Sequence, residues 1–174
     1  MSRVFILLPL AVALGCATSQ PPAPSPPTPP AVRTKVPDYT RIEGEIMHLV
    51  NLQRAGHGLD TLIWNAALDK AAKIQAVNMA GEGKMAHDLP NADHPTLKDR
   101  VTFVGYAYRR LAENIAYGYP DAHYAVDGWM ASSGHRANIL DRAVTETGIG
   151  VARSATGELY YCQVFGARLG PLGF

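Results

Sequence analysis

Seven of the 13 prolines fall between Pro21 and Pro30, in the run Gln20-Pro21-Pro22-Ala23-Pro24-Ser25-Pro26-Pro27-Thr28-Pro29-Pro30. Proline lacks the N–H that a helix or sheet interior needs and fixes φ at about −65°, so no regular hydrogen-bonded element can pass through such a stretch. The chain must therefore divide there. Residues Thr18 to Pro37 also hold too few large apolar side chains to form a core. They predict a tether: in polyproline II geometry, at about 3.1 Å per residue, the path from Cys16 to Asp38 spans at most about 68 Å.

Upstream, Arg3 precedes Val4 to Gly15, an uncharged and mostly apolar run. As a helix it would be about 18 Å long, short of the roughly 30 Å hydrocarbon core. Residues 1–15 thus predict the apolar region of a secretory signal. The run ends in Ala13-Leu14-Gly15-Cys16, which resembles the bacterial lipobox, although a larger aliphatic residue is usual at Ala13 and a small one at Leu14. Acyl chains on Cys16 would hold the protein on a membrane, each buried CH₂ contributing about 0.8 kcal/mol. Ala17, where an aspartate would favour inner-membrane retention, points to the outer membrane. Without lipidation the expectation becomes secretion. Residues 16–37 are then lipidated Cys16 plus tether, and residues 38–174 remain to form a domain.

That length suffices for one domain burying about two thirds of its unfolded surface. A formal net charge of +1 gives no electrostatic reason to expect nucleic acid as a partner. With Cys16 lipidated, Cys162 has no intrachain partner, and its setting in Leu159-Tyr160-Tyr161-Cys162-Gln163-Val164-Phe165 predicts a buried strand thiol.

Periodicity within the domain is mixed. Thr40 and Glu43 form a capping-box signature ahead of Ile42, Ile46, Leu49 and Val50 at helical spacing, with Gly56 and Gly58 as stops. A second helix fits Asn65 to Ala80, with Leu68, Ala71, Ala72 and Met79 on one face and Gly81 at its end. The polar stretch Gly81 to Pro95 is long enough to suggest function. Thr96 caps a short helix through Phe103, and another runs from Pro120 to about Met130, with Val126, Trp129 and Met130 inward. Thr147 to Arg153 and Leu159 to Phe165 flank a turn and predict a β-hairpin, with a further strand within Tyr106 to Ile115. Helices early and strands late indicate an α+β domain with an antiparallel sheet.

Phosphate-loop, zincin and nucleophile-elbow motifs are absent, and Gly148-Ile149-Gly150 lacks the third glycine of a dinucleotide loop. Ser132-Ser133-Gly134-His135 is not read as a serine nucleophile, because sequence neighbours rarely meet in a catalytic triad. By spacing alone the six histidines form no metal pattern.

Six ordered strings change that picture: Leu49-Val50-Asn51-Leu52-Gln53-Arg54, Met85-Ala86-His87-Asp88, Asp99-Arg100-Val101, Ala112-Glu113-Asn114-Ile115-Ala116, Trp129-Met130-Ala131-Ser132-Ser133-Gly134-His135-Arg136-Ala137-Asn138-Ile139-Leu140, and Gln163-Val164-Phe165-Gly166. Together they resemble the CAP superfamily of cysteine-rich secretory, antigen 5 and pathogenesis-related proteins, in its bacterial SCP-domain branch. The resemblance implies an α-β-α sandwich with a central antiparallel sheet and a cleft lined in animal and plant members by two histidines and two glutamates. His87, Glu113 and His135 match three of these positions, and Ser132 stands where the second glutamate would be. The family's disulfides are absent. Two imidazoles and a carboxylate suit Zn²⁺ or another divalent transition ion better than calcium, which wants six or more oxygens. His87, Glu113 and His135 are therefore the candidate metal ligands and weak catalytic candidates, with Ser132 a further cleft residue. Glu146 is a candidate replacement for the missing glutamate.

Asn51, Arg54, Arg100 and Asn138 are read as scaffold. Tyrosines 106, 108, 117, 119 and 124 offer aromatic edges that would suit a sterol, acyl chain or glycan if they reach the cleft. The leading expectation is a lipid-anchored binding or interaction module whose ligand is a lipid, sterol, glycan or protein. The alternatives are a metal-dependent, peptidase-like hydrolase and a structural envelope protein.

Overall fold

The structure, a computed structural model, describes residues 39–170. The predicted signal, the lipidation of Cys16 and the tether lie outside the described residues.

Among the described residues five helices and four strands follow in the order α1 (Tyr39–Gly56), β1 (Ile63–Trp64), α2 (Ala66–Glu82), α3 (Leu97–Phe103), β2 (Tyr108–Tyr117), α4 (Ala122–Ala131), α5 (Ser133–Ile139), β3 (Glu146–Arg153) and β4 (Leu159–Arg168). The sheet order is β1-β3-β4-β2. The long pairs β3–β4 and β2–β4 are antiparallel, while the two-residue β1 adds to β3 in parallel. The predicted hairpin and the strand ahead of it are thus present, whereas β1 and α5 have no counterpart among the sequence-derived elements.

Strand β4 is buried on both sides, and its alternation explains the layering. Tyr161 and Phe165 belong to one core with Ile46 and Val50 of α1, Val126 and Trp129 of α4, and Ile139 of α5. Tyr160, Cys162 and Val164 belong to another with Leu68, Ala72, Ala76 and Met79 of α2 and Val101 of α3. Successive strand side chains point to opposite faces, so one continuous apolar strand supports two helical layers. This is the α-β-α sandwich.

The glycines of β3 set how close the α2 layer comes. A Cβ on Gly148 would lie 1.9 Å from the Asp69 nitrogen, and one on Gly150 would lie 2.4 Å from that of Lys73. Gly148-Ile149-Gly150 is therefore a seat for a helix backbone, while Ile149 faces the other core.

Local capping follows the sequence at two helices and departs from it at another. Asn65 caps α2 by accepting from the backbone N–H of Ala67 and Leu68, and Thr96 forms a capping box with Asp99 at α3. Helix α2 ends at Gly83, in the left-handed region at φ 62°, rather than at Gly81. Thr40 lies inside α1, so the expected Thr40–Glu43 box is not its start. Glu43 is buried instead, accepts from the Val151 N–H at 3.3 Å and pairs with Lys73 at 3.2 Å. The physical reason is the shortness of β1, which pairs only with Glu146 and Thr147 and leaves the Val151 N–H in need of an acceptor.

Candidate functional site

The candidate residues gather where the two helical layers meet at the edge strand β2. Its pleat sends Glu113 toward the α2 side, where it meets Cys162, and the next residue, Asn114, toward α5. The outer edge of β2 is covered by side chains: Asn138 donates to the Glu113 carbonyl at 3.3 Å, and Trp129 Nε1 donates to that of Ile115 at 3.0 Å. These bonds satisfy carbonyls that would otherwise invite another strand. Asn138 also donates to Asn114 Oδ1 at 2.9 Å, and Asn114 Nδ2 donates to the His135 carbonyl at 3.1 Å. His135 is thus fixed on the first half of α5.

His87 comes from the opposite layer, on the loop after α2. Gln75 of α2 donates to the carbonyls of Ala86 at 2.6 Å and His87 at 3.1 Å. The His87 ring is half exposed, and its Nδ1 lies 2.9 Å from Glu113 Oε1. The other carboxylate oxygen, Oε2, accepts from Arg100 Nη2 at 2.7 Å and from the Cys162 thiol at 3.3 Å.

Arg100 is the functional residue that sequence reasoning placed merely in the scaffold. Its side chain is 0% exposed and that of Glu113 is 3% exposed, so the two form a buried ion pair. Arg100 further donates to the carbonyls of His94 and Pro95 at 3.4 and 3.3 Å, tying the His87–Pro95 loop to the same centre. The only available signal was the Asp99-Arg100-Val101 string, because nothing in local spacing links Arg100 to Glu113.

The electrostatics separate the two histidines. The hydrogen bond to Glu113 raises the His87 pKa above its ordinary value, against the opposing effect of burial. Burial lowers that of His135, and a charged His87 lowers it further. That second effect shows the two rings to be electrostatic neighbours. Between the two titrations His87 is a cation and His135 a neutral imidazole, so the pair offers donors and an acceptor side by side. Burial pushes the Cys162 thiol well up, which keeps it protonated as a donor to Glu113.

A sequence model of the cysteine-rich secretory protein family, CAP, matches residues 47–165. The chain belongs to this family.

Among CAP relatives, the chain is 34% identical over 126 residues to the uncharacterized membrane protein YlbC of Bacillus subtilis strain 168, covering 72% of this chain and 34% of the relative. The crystal structure of an extracellular SCP-domain protein from Bacillus anthracis str. Ames is similar at a TM-score of 0.68 and 29% identity, over 74% of this chain and 41% of that one. An outer surface protein of Borrelia burgdorferi shares the fold at a TM-score of 0.69 and 18% identity, over 76% of this chain and 96% of that one. The chain thus spans about a third of the curated relative YlbC and well under half of the B. anthracis protein. Among the described residues no helix is long and apolar enough to cross a membrane.

Against the CAP tetrad, the structure brings His87 and Glu113 into contact and sets His135 beside them. Ser132 lies at the junction of α4 and α5, where its side chain makes no capping hydrogen bond. Glu146 does not replace the missing glutamate: its carboxylate accepts from Tyr106 Oη at 2.5 Å and Asn65 at 2.9 Å and pairs with Arg168 at 3.3 Å, a separate cluster. The tyrosines disperse as well. Tyr106 serves Glu146, Tyr117 packs on Tyr160 and Tyr119 lies against Gly128.

The donors fit a three-ligand metal set poorly. Both Glu113 oxygens are engaged, and a guanidinium 2.7 Å from one of them opposes a dication there. Among the described residues no group of three or more His, Cys, Asp or Glu side chains is placed to hold a metal ion. Glu113 fits better as the carboxylate that orients His87 than as a direct ligand.

Proposed function

We propose that the chain is an envelope-anchored CAP binding module, held by lipid on Cys16 at an outer rather than an inner membrane, and that its recognition surface is the His87–His135 edge of the sheet. The observation that carries this reading is the pairing of Glu113 with Arg100. A general base must offer a free lone pair to substrate or water. Glu113 is buried, ion-paired and hydrogen-bonded on both oxygens, and Ser132 supplies no carboxylate. What remains accessible is the pair of imidazoles, and the free lone pair is on neutral His135. Among the described residues no carboxylate is bonded to that ring to orient it or balance its charge, so the pair suits hydrogen bonding to a ligand's polar group more than hydrolysis. A divalent ion such as Zn²⁺ could be held only through those two imidazoles, as an adjunct that polarises a bound group.

The test follows the imidazole resonances of His87 and His135 by NMR on the full chain. The probes are Zn²⁺ alone, vesicles of phosphatidylethanolamine and phosphatidylglycerol, a sterol-loaded micelle, and peptide and ester substrate libraries. Binding without turnover, lost in a His87→Gln/His135→Gln double variant, is the expected result. Turnover that stops with chelator and returns with Zn²⁺ would replace this reading with the hydrolase. If no probe moves either ring and the double variant changes only stability, the structural envelope role takes its place.

A further inference from the structure

A groove of about 510 Å³ lies away from the His87–Glu113 pair, between the outer face of α2 and the segment running from Asp93 to Phe103. That volume falls within the roughly 300–1,000 Å³ common for small-molecule sites. Its apolar floor is large for a surface position: Val77 of α2 is 61% exposed, Phe103 of α3 is 54% exposed, and Ile74 of α2 joins them in the lining. The far wall is built rather than incidental. The His94 ring stacks on Phe103 with centroids 3.9 Å apart and 23° between the planes. His94 reaches that position from the left-handed region, at φ 55°, uncommon for a residue with a side chain. It is held there from both sides, by Asn78 donating to the Asp93 carbonyl at 3.0 Å and by Arg100 donating to its own carbonyl at 3.4 Å.

The polar rim narrows the occupant. Two lysines and two aspartates line the groove, so it carries no net charge. Lys73 is neutralised by Asp69 and Glu43, while Lys70 sits over the Phe103 ring at 5.2 Å. The second oxygen of Asp69, Oδ1, is buried below the groove surface, and the carboxylate exposed along the rim is that of Asp93. A fatty acid or other anionic amphiphile would bring a third carboxylate to Asp69 and Asp93. A neutral polyol brings donors for the exposed Asp93 carboxylate and acceptors for Lys70. The C–H face of a sugar ring also complements the electron-rich face of an aromatic platform. The groove is open to solvent, which suits a unit within a chain more than an enclosed tail.

We propose that this groove is a second site, distinct from the histidine edge, and that it takes a neutral saccharide: the apolar face of one ring displaces Lys70 from the face of Phe103 opposite the stacked His94, and its hydroxyls bond to Asp93 and to the ammonium of Lys70. The test uses the full chain with chitotriose, cellotriose and maltotriose as probes, and decanoate as the competing amphiphile. Methyl resonances of Ile74 and Val77 report on the groove, and the His87 ring reports on the other site. At least one trisaccharide is expected to shift the two methyls at up to about 10 mM while leaving His87 unmoved. Phe103→Ala should weaken binding about tenfold, Phe103→Tyr should retain it, and Asp93→Asn should weaken it severalfold. Phe103 is more than half exposed, so its replacement leaves the fold intact. Failure of all three sugars, equal binding by the Phe103→Ala variant, shifts centred on His87, or preference for decanoate would each overturn the proposal. The His87→Gln/His135→Gln variant should bind the sugar normally, which separates failure here from failure of the histidine-edge reading.

Discussion

Replacing Arg100 by methionine tests whether the buried ion pair organises the site. Methionine nearly fills the aliphatic volume of the arginine but removes the guanidinium that bonds to Glu113 in the buried centre, leaving a carboxylate 3% exposed beside Cys162. Removing one partner of a buried pair costs about 3–5 kcal/mol, because the other charge stays desolvated. The bonds to the carbonyls of His94, Pro95 and His87 are long, 3.3 to 3.5 Å, and position the loop more than they enlarge this loss. A domain of this size is stable by about 5–15 kcal/mol, so the loss is a large share of the total. At roughly 4 °C per kcal/mol the melting temperature should fall by about 12–20 °C. Urea unfolding of the full chain at pH 7, followed by the fluorescence of Trp64 and Trp129, would measure the change as a midpoint shift at constant slope. Glu113→Gln should also destabilise, by leaving Arg100 buried without a carboxylate. The double variant should then lose about 2–3 kcal/mol less than the sum of the singles, since neither charge is stranded. A loss below about 1 kcal/mol for Arg100→Met, the size of a surface pair, or additive losses in the cycle, would refute the coupling.

The two histidines should impose opposite pH dependences on stability. The His87 value is raised in the fold, so its contribution is complete below the unfolded value near 6.5 and fades as pH rises through the folded one. The His135 value is lowered, so its contribution is complete above 6.5 and fades as pH falls toward the folded value. Urea midpoints from pH 5 to 8 should lose the first trend in His87→Gln and the second in His135→Gln. Each effect should stay under about 1 kcal/mol because the site is partly exposed. NMR titration of His87→Ala should show His135 moving back up toward 6.5, since the neighbouring charge is gone. Gly148→Ala should lower stability by about 3 kcal/mol or more, because its Cβ would lie 1.9 Å from the Asp69 nitrogen; Gly134→Ala, which meets nothing within 4 Å, is the control for melting temperature. Cys162 should resist iodoacetamide in the native protein and label only at the rate of global unfolding, since its thiol is buried and its pKa is raised.

The fold was legible wherever a local rule decided it. The Thr96 cap, the start of α2 at Asn65 and the strand along Leu159 to Phe165 depend on residues a few positions apart, and each appears as expected. What the sequence hid were the long-range bonds. Glu43 carries a capping signature, yet its acceptor capacity goes to Val151, 108 residues away. A two-residue β1 falls below any periodicity, and its place depends on Asn51, whose side chain donates to the Leu62 carbonyl at 3.1 Å and accepts from the Leu62 N–H at 2.8 Å. The glycines of β3 look like turn or nucleotide-loop residues until α2 is laid across them.

The same distinction governs the site. His87, Glu113 and His135 were recognisable as a group through the family strings, but their chemistry was not, because a carboxylate's role depends on what neutralises it. Glu113 beside two imidazoles and no cation would be a ligand or a base. Glu113 against Arg100 is an anchor that orients His87 and raises its affinity for a proton. The arginine comes from α3, 13 residues earlier, and reaches the carboxylate only because Val101 and Leu89 seat that helix in the α2-side core. Arg100 also holds the His94 carbonyl, so one side chain fixes both the histidine edge and the aromatic wall of the groove. Arg100→Met should therefore weaken saccharide binding at Phe103 as well as destabilise the histidine edge. Glu113→Gln, which leaves the Arg100–His94 contact in place, should disturb the edge far more than the groove.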